Sequence, residues 1–428
     1  MGEVEVSKLY DGVQYVLNLG PTVILPIAIF IIALIFRVQV KKAVRSAITI
    51  GIGFVGINLV ISVLSDNLGP AAQQMVKNFG LHLTIIDAGW PAAAAASFAS
   101  PVAAILIPVC LVVNLILIFF KVTKTLDIDI WNYWHFIAAG ATGYIVTGGN
   151  WWFAILCAVI YEVFVLLMAD RTQGMVENFY GLKGISLPTG STAAFGFIGI
   201  PIGWLIARIP GIRNIHVDPE TIQKRFGIFG EPMMMGLILG IIIGILAGYD
   251  PGEIFKLGIS MASVMFLMPR MVKILMEGLI PISESARDFM KSRFKNRELY
   301  IGLDAALSIG HPANISTGLL LVPITLFLAI IIPGNKVLPF GDLATIPFYV
   351  SFVVANRKGN ILHSVLAGTV VIALALLMAT DYGPVHTQMM EGIYKLPKGA
   401  TEVSTLDMGG NFFNWVILKF SQLWAAIF

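Results

Sequence analysis

The chain has 428 residues, 57% of them hydrophobic and 12% charged, with a net charge of +3 and a mean hydropathy of +0.84. A soluble domain carries about 25% charged residues, so half that density leaves too little polar surface for a water-soluble globule, and lipid must be much of the solvent. The small net charge gives no footprint for nucleic acid, and the two cysteines, Cys110 and Cys157, lie inside apolar runs with neither a disulfide framework nor metal-ligand spacing.

A spanning helix needs roughly 20 mostly apolar residues. In chain order the apolar runs near 20–38, 46–64, 98–120, 136–154, 155–169, 228–248, 255–276, 315–333, 343–355, 361–380 and 411–427 meet or approach that need. They predict an all-α polytopic membrane protein of about eleven transmembrane helices. The first run is long, follows acidic residues and lacks a small-residue cleavage site, so it reads as a span and not as a cleaved signal. Three further apolar pieces are too short or too broken by Gly and Pro to be simple spans: 85–97 (IIDAGWPAAAAAS), 185–207 (ISLPTGSTAAFGFIGIPIGWLIA) and 299–312 (LYIGLDAALSIGHP). They are expected as re-entrant segments. The stretch 381–408 is expected as a solvated loop.

Basic residues collect on the cytoplasmic side of a membrane protein. With the N-terminus outside, Lys41, Lys42 and Arg45, then Lys121 and Lys124, then Arg171, Lys183, Arg208, Arg213, Lys224 and Arg225, then Arg287, Lys291, Arg293, Lys295 and Arg297, and last Arg357 and Lys358 all fall inside. The opposite loops carry Lys77, Lys336, Lys395 and Lys398. This orientation requires 185–207 to enter the membrane and return on the same side.

The chain also repeats itself. Pro21 and Pro232, and Pro70 and Pro281, are separated by the same offset; Asp87 precedes Gly-Trp-Pro as Asp304 precedes Gly-His-Pro; Asp129 and Asp342 each precede a new span. Units of five spans would make the second copy inverted, and paired broken segments in an inverted repeat point to a transporter whose substrate binds where they meet.

Charged groups at membrane depth are costly and usually face a cavity or a partner. Asp87, beside Gly89, Trp90 and Pro91, and Asp304, ahead of His311, Pro312 and Asn314, stand in two broken segments. For both acids a substrate or gating role and helix capping remain open. Carboxylates, amides and imidazoles suit a polyhydroxylated solute, whose hydroxyls both donate and accept. His135 opens an apolar span within IWNYWHF (130–136), where Trp131 and Trp134 read as an interfacial belt. Thr189 and Ser191 lie in a small polar turn that either supplies hydroxyls or breaks a helix. Glu162 reads as a buried acid paired with another helix. No G-x-x-x-x-G-K-S/T loop and no H-E-x-x-H pair is present, so no nucleotide, metal or other cofactor is expected.

GP at 20–21, IGIGFVGINLVI at 50–61, DAGWP at 87–91, DIWNYWH at 129–135, FGEP at 229–232, GILAGYD at 244–250, LMPR at 267–270, IGLDAALSIGH at 301–311 and PGNKVLPFGDLATI at 333–346 resemble the galactitol IIC permeases of the bacterial phosphotransferase system, in the ascorbate–galactitol superfamily. The resemblance covers nearly the whole chain. It implies a homodimer in the inner membrane, with scaffold (V-motif) and core elevator domains. These would divide the chain into 1–84 (scaffold), 85–184 (core), 185–226 (re-entrant segment and basic cytoplasmic loop), 227–298 (scaffold), 299–380 (core) and 381–428 (loop and last helix). It implies galactitol or a related polyol as substrate, bound by Asp87, Trp90, Pro91, His135, Thr189, Ser191, Asp304 and His311. It also implies phosphorylation by separate IIB and IIA phosphocarrier proteins. An ion-coupled transporter of a polyol or sugar acid is the competing expectation.

Overall fold

The computed structural model describes residues 26–27, 30–31, 33–34, 36–78, 80, 83–217, 219, 232–293, 299–339, 341–391, 396 and 400–427. Gly20-Pro21, most of FGEP, Lys224, Arg225, Lys295, Arg297, Lys395 and Lys398 lie outside the described residues.

Three helices form one unit. α1 (Val40–Asn78) is a single helix of 39 residues that carries Pro70 within it. α7 (Pro232–Ala247) and α8 (Pro251–Arg293, 43 residues) each begin on proline, which suits a first helical position because its missing N–H would have no partner there. α8 packs along both α1 and α7. A Cβ on Gly240 would lie 2.7 Å from the Cα of Gly258, so α7 and α8 meet backbone to backbone, the close approach small residues permit between membrane helices.

The remaining chain passes twice through one succession of elements. The first pass is β1 (Ile85–Asp87), α2 (Trp90–Ala99), α3 (Ala103–Phe119), β2 (Thr125–Asp127), a 3-10 turn (Ile130–Asn132), α4 (Tyr133–Val146), α5 (Trp151–Tyr180), β3 (Ile185–Ser186) and α6 (Gly190–Ile206). The second is β4 (Tyr300–Gly302), α9 (Ala306–Ile309), α10 (Pro312–Ile331), β5 (Val337–Leu338), a 3-10 turn (Leu343–Thr345), α11 (Ile346–Asn356), α12 (Ile361–Met389), β6 (Glu402–Ser404) and α13 (Phe412–Ile427). The strands form two parallel three-stranded sheets, ordered β5-β1-β6 and β2-β4-β3. Each sheet takes its central strand from one pass and its flanking strands from the other. The register sets Asp87 opposite Ser404 and Asp127 opposite Gly302, so both sheets end on the acids that build the site.

The two long helices begin alike. Asn150 caps α5 by accepting from the Phe153 N–H, and Asn360 caps α12 by accepting from the His363 N–H. Such a side chain satisfies one of the orphan donors of a first turn. The ends of α5 and α6 come to one place: a Cβ on Gly359 would meet the Phe179 ring at 3.3 Å, and Arg357 Nη1 donates to the Gly203 carbonyl at 3.4 Å. At the opposite side, α13 packs on the start of α5 through Phe153 with Phe420 and Trp424, ring centres 5.3 and 5.1 Å apart.

The molecule is mostly helical, and α5, α10 and α12 are long and apolar enough to cross a membrane. Several expectations shift. The all-α expectation misses the strands, six among the described residues and each of two or three residues. The break expected near 154–155 falls at 147–150, where Gly148 and Gly149 take positive φ of 67° and 101°. The run expected from 98 is interrupted at Ser100–Val102 and is helical from Ala103. The expected solvated loop 381–408 is corrected most: α12 continues to Met389 through Pro384, 402–404 is a strand, and residues 403–411 are buried. The polar side chains of that stretch turn inward to meet backbone groups instead of water.

Candidate functional site

Each broken segment must satisfy backbone N–H groups that no helix takes up. At the end of β1 the chain turns at Gly89 (φ 79°) and starts α2 at Trp90-Pro91. The Gly89 N–H donates to Asp87 Oδ1 at 3.0 Å, and the Asp342 N–H donates to Asp87 Oδ2 at 2.9 Å. Asp342 in turn accepts from the Trp90 N–H at 2.6 Å and from the Asp407 N–H at 2.8 Å. The backbone of Gly341 lies directly on that of Gly89, and a Cβ on Gly89 would sit 2.8 Å from the Gly341 carbonyl oxygen. Neither position has room for a side chain.

A second set of bonds gathers at the other sheet. The Asp304 N–H donates to Asp129 Oδ2 at 3.1 Å, and the Ala306 N–H donates to Asp304 Oδ1 at 2.6 Å. Thr189 accepts from the Ala305 N–H at 2.7 Å and donates to Asn132 Oδ1 at 3.0 Å. Asn132 donates to Asp127 Oδ1 at 3.2 Å. Both clusters are thus carboxylates receiving main-chain donors from the opposite pass of the fold.

His135 stands between them. Its Nε2 lies 3.4 Å from Asp407 Oδ1, and its ring stacks on Trp134 with centres 3.7 Å apart. Gly190 packs close against it: a Cβ there would come within 2.5–2.7 Å of three His135 atoms. The His135 Nδ1 is buried without a hydrogen-bond partner. Asn411, just before α13, donates to the Tyr161 hydroxyl at 2.9 Å and to the Gly190 carbonyl at 3.4 Å. Trp90, Trp131 and Phe98 make an aromatic wall beside this network, with centres 5.9 Å and 5.7 Å apart.

Asp87, Trp90, His135, Thr189 and Asp304 are therefore joined by one connected set of contacts. Pro91 lies in the first turn of α2, and Ser191 is buried in the first turn of α6. His311 stands apart: it caps α10, where its Nδ1 accepts from the Ala313 N–H at 3.2 Å, and it packs on Phe179 and Tyr180 at the end of α5. Asp87 and Asp304 both cap the turns that follow them. Glu162 is buried on α5 and its side chain faces the Cys110 thiol of α3, while no oxygen or nitrogen donor reaches its carboxyl group among the described residues. Asp342, Asp407, Asn132, Asn411 and Tyr161 were not foreseen as site residues. The aspartates before the two 3-10 turns were the available signal, since Asp129 and Asp342 repeat at matching places.

The chemistry is one-sided. Asp87, Asp127, Asp129, Asp304, Asp342 and Asp407 are all buried, and the hydrogen bonds joining them involve no Lys or Arg among the described residues. Among those residues no His, Cys, Asp and Glu group is arranged to hold a metal ion. Acceptors, amides and one imidazole can take up hydroxyl donors; a carboxylate or phosphate would meet only like charge.

The chain is 40% identical over 409 residues to the galactitol-specific EIIC component of the PTS system of Escherichia coli (strain K12), covering 96% of this chain and 90% of that protein. It is 39% identical over 415 residues to a putative permease IIC component of the same strain, covering 96% and 94%. The family model for the EIIC-GAT sugar-specific permease component of the PTS system matches residues 15–399. With that match running through both passes of the fold, this chain belongs to the EIIC-GAT family of PTS sugar-specific permease components.

Proposed function

We propose that the chain binds galactitol or a close hexitol between the two passes of the fold and carries it across the bacterial inner membrane for phosphorylation by separate IIB and IIA proteins. The observation that carries the substrate class is the acceptor-rich network around His135 and Asp407, which holds no Lys or Arg among the described residues. A neutral polyol can donate to those carboxylates, while a sugar acid would be repelled. Asp87, Asp304, Asp342 and Thr189 hold the walls, and Trp90 offers an apolar face to the C–H side of the solute. Pro91 and Ser191 shape the helix starts on either side. His311 fixes the start of α10 against the end of α5.

The doubled succession of elements and the crossed sheets support an inverted repeat. The shared position of the α5 and α6 ends supports a re-entrant 185–207. α1, α7 and α8 would be the scaffold and the two passes the moving core of an elevator, working as a homodimer. Cys110 and Cys157 are buried within α3 and α5, so the phosphoryl donor is a separate chain that docks on the basic cytoplasmic face. Titration calorimetry of galactitol into purified protein tests the site. The His135→Gln and Asp407→Asn variants should each lose affinity, by about tenfold or more for a lost charge-assisted bond. Folded variants that both bind galactitol as the parent does would place the site elsewhere.

A further inference from the structure

A cavity of about 280 Å3 lies at the outer end of α6, between the 207–216 segment and the α11–α12 turn, lined by Arg213, His216, Arg357, Lys358, His363, Asn356 and other residues. Its chemistry is the reverse of the buried network. Among the described residues no acidic residue lines it, and no carboxylate pairs with Arg213, Arg357 or Lys358.

The cavity is built and not a chance gathering of loop charges. Asn360 Nδ2 donates to the Ile215 carbonyl at 2.8 Å, and its Oδ1 accepts from the Val217 N–H at 3.4 Å. His363 Nε2 lies 3.1 Å from the Ile212 carbonyl. These contacts pin the segment over the turn. Arg357 is half-buried and aligned by Asn356 Oδ1, 2.6 Å from its Nη2, while Arg213 and Lys358 are exposed at the rim. The accumulation of cations on one membrane face accounts for their sign, but not for an open cleft whose wall is pinned in place by asparagine and histidine.

We infer that this cavity binds the phosphomonoester group of the phosphorylated polyol. The inference rests on the permease reading above and adds a second, anion-binding subsite to it. Guanidinium and ammonium donors are the groups that hold phosphate oxygens strongly. The volume is at the small end for ligand pockets, which suits a small ester. The position fits too: α6 and α11 begin beside Thr189 and Asp342 in the buried network and both end at this cavity, about 25 Å away along the 17 residues of α6. A product that has gained a phosphoryl group no longer suits the carboxylate-rich site and finds cations at the exit.

The test uses the full chain in phosphatidylcholine nanodiscs, with galactitol phosphate, inorganic phosphate and added phosphatidylglycerol as probes. Two variants are compared with the parent: Arg213→Gln combined with Lys358→Asn, where asparagine tolerates the positive φ of 52° at Lys358, and Ala207→Glu at the rim. Galactitol phosphate is expected to bind the parent in a salt-sensitive way, with inorganic phosphate competing, and each variant should weaken it by about tenfold or more. Unchanged binding of galactitol phosphate in both variants overturns the inference. So does displacement by phosphatidylglycerol with no binding of the soluble phosphates, which would make the cavity a lipid headgroup site. Binding of inorganic phosphate with exclusion of the ester overturns it as well. Galactitol binding to the parent is measured alongside; its failure would count against the permease reading and leave the anion result standing.

Discussion

Replacing Gly190 with alanine should weaken galactitol binding at the proposed site while leaving the fold in place. The new Cβ would lie 2.5 Å from His135 Cγ, and ordinary contact begins at 3.4 Å, so the ring must retreat by up to 0.9 Å. The ring is also stacked on Trp134, with centres 3.7 Å apart, which limits where it can go. The His135–Asp407 contact is already long at 3.4 Å, and lengthening it further removes it as a hydrogen bond. Overpacking of this kind costs about 1–3 kcal/mol. If that cost falls on the ring position, galactitol affinity drops by about 5- to 150-fold. Titration calorimetry on detergent-purified protein reads the affinity, and thermal unfolding of the same sample reads the fold. Gly196→Ala is the matched control. It lies on the same helix and would bring a Cβ within 2.7 Å of Phe352 Cδ2, so it should lower the unfolding temperature without changing affinity. A Gly190→Ala protein that binds as the parent does, or a Gly196→Ala protein that loses as much affinity, would refute the reasoning.

Asp304→Asn keeps an oxygen to accept from the Ala306 N–H but loses the charge, so it should fold while galactitol affinity falls about tenfold or more; an unchanged affinity in calorimetry would leave Asp304 as a capping residue alone. The Cys110→Ser, Cys157→Ser double variant should still support phosphorylation of galactitol by a supplied IIB protein; a variant that binds galactitol but no longer supports transfer would put a cysteine of this chain in the reaction. In that cysteine-free background, Asp250→Cys should react with an impermeant maleimide added to intact cells and Lys358→Cys only after permeabilisation. The reverse pattern would overturn the orientation.

The sequence carried the broken segments plainly, because Asp87-Ala-Gly-Trp-Pro and Asp304 to Pro312 place helix breakers and acids inside apolar surroundings where neither is cheap. Those two acids, Thr189 and His135 fall in one connected set of contacts, with Asp87 and Asp304 in separate clusters. The strands were illegible. Runs of two or three residues give no period-2 pattern, and their partners lie far along the chain, as Ile85 with Val337. Asp407 was hidden for a related reason. It sits in a polar stretch that reads as solvated, and only its N–H bond to Asp342 and its contact with His135 reveal it as interior. His311 has a structural use that its sequence context did not announce: its ring nitrogen caps α10. The break at 147–150 had a signal in the shared Gly-Asn before two long apolar runs, Gly149-Asn150 and Gly359-Asn360, which are the caps of α5 and α12.

Uptake of labelled galactitol into sealed vesicles containing this protein, with and without phosphoenolpyruvate and the soluble phosphocarrier proteins, is the most direct test of the central claim. The account predicts accumulation of phosphorylated galactitol only when the phosphocarriers are present. Accumulation of unmodified galactitol driven by a proton or sodium gradient, with no other protein added, would contradict it.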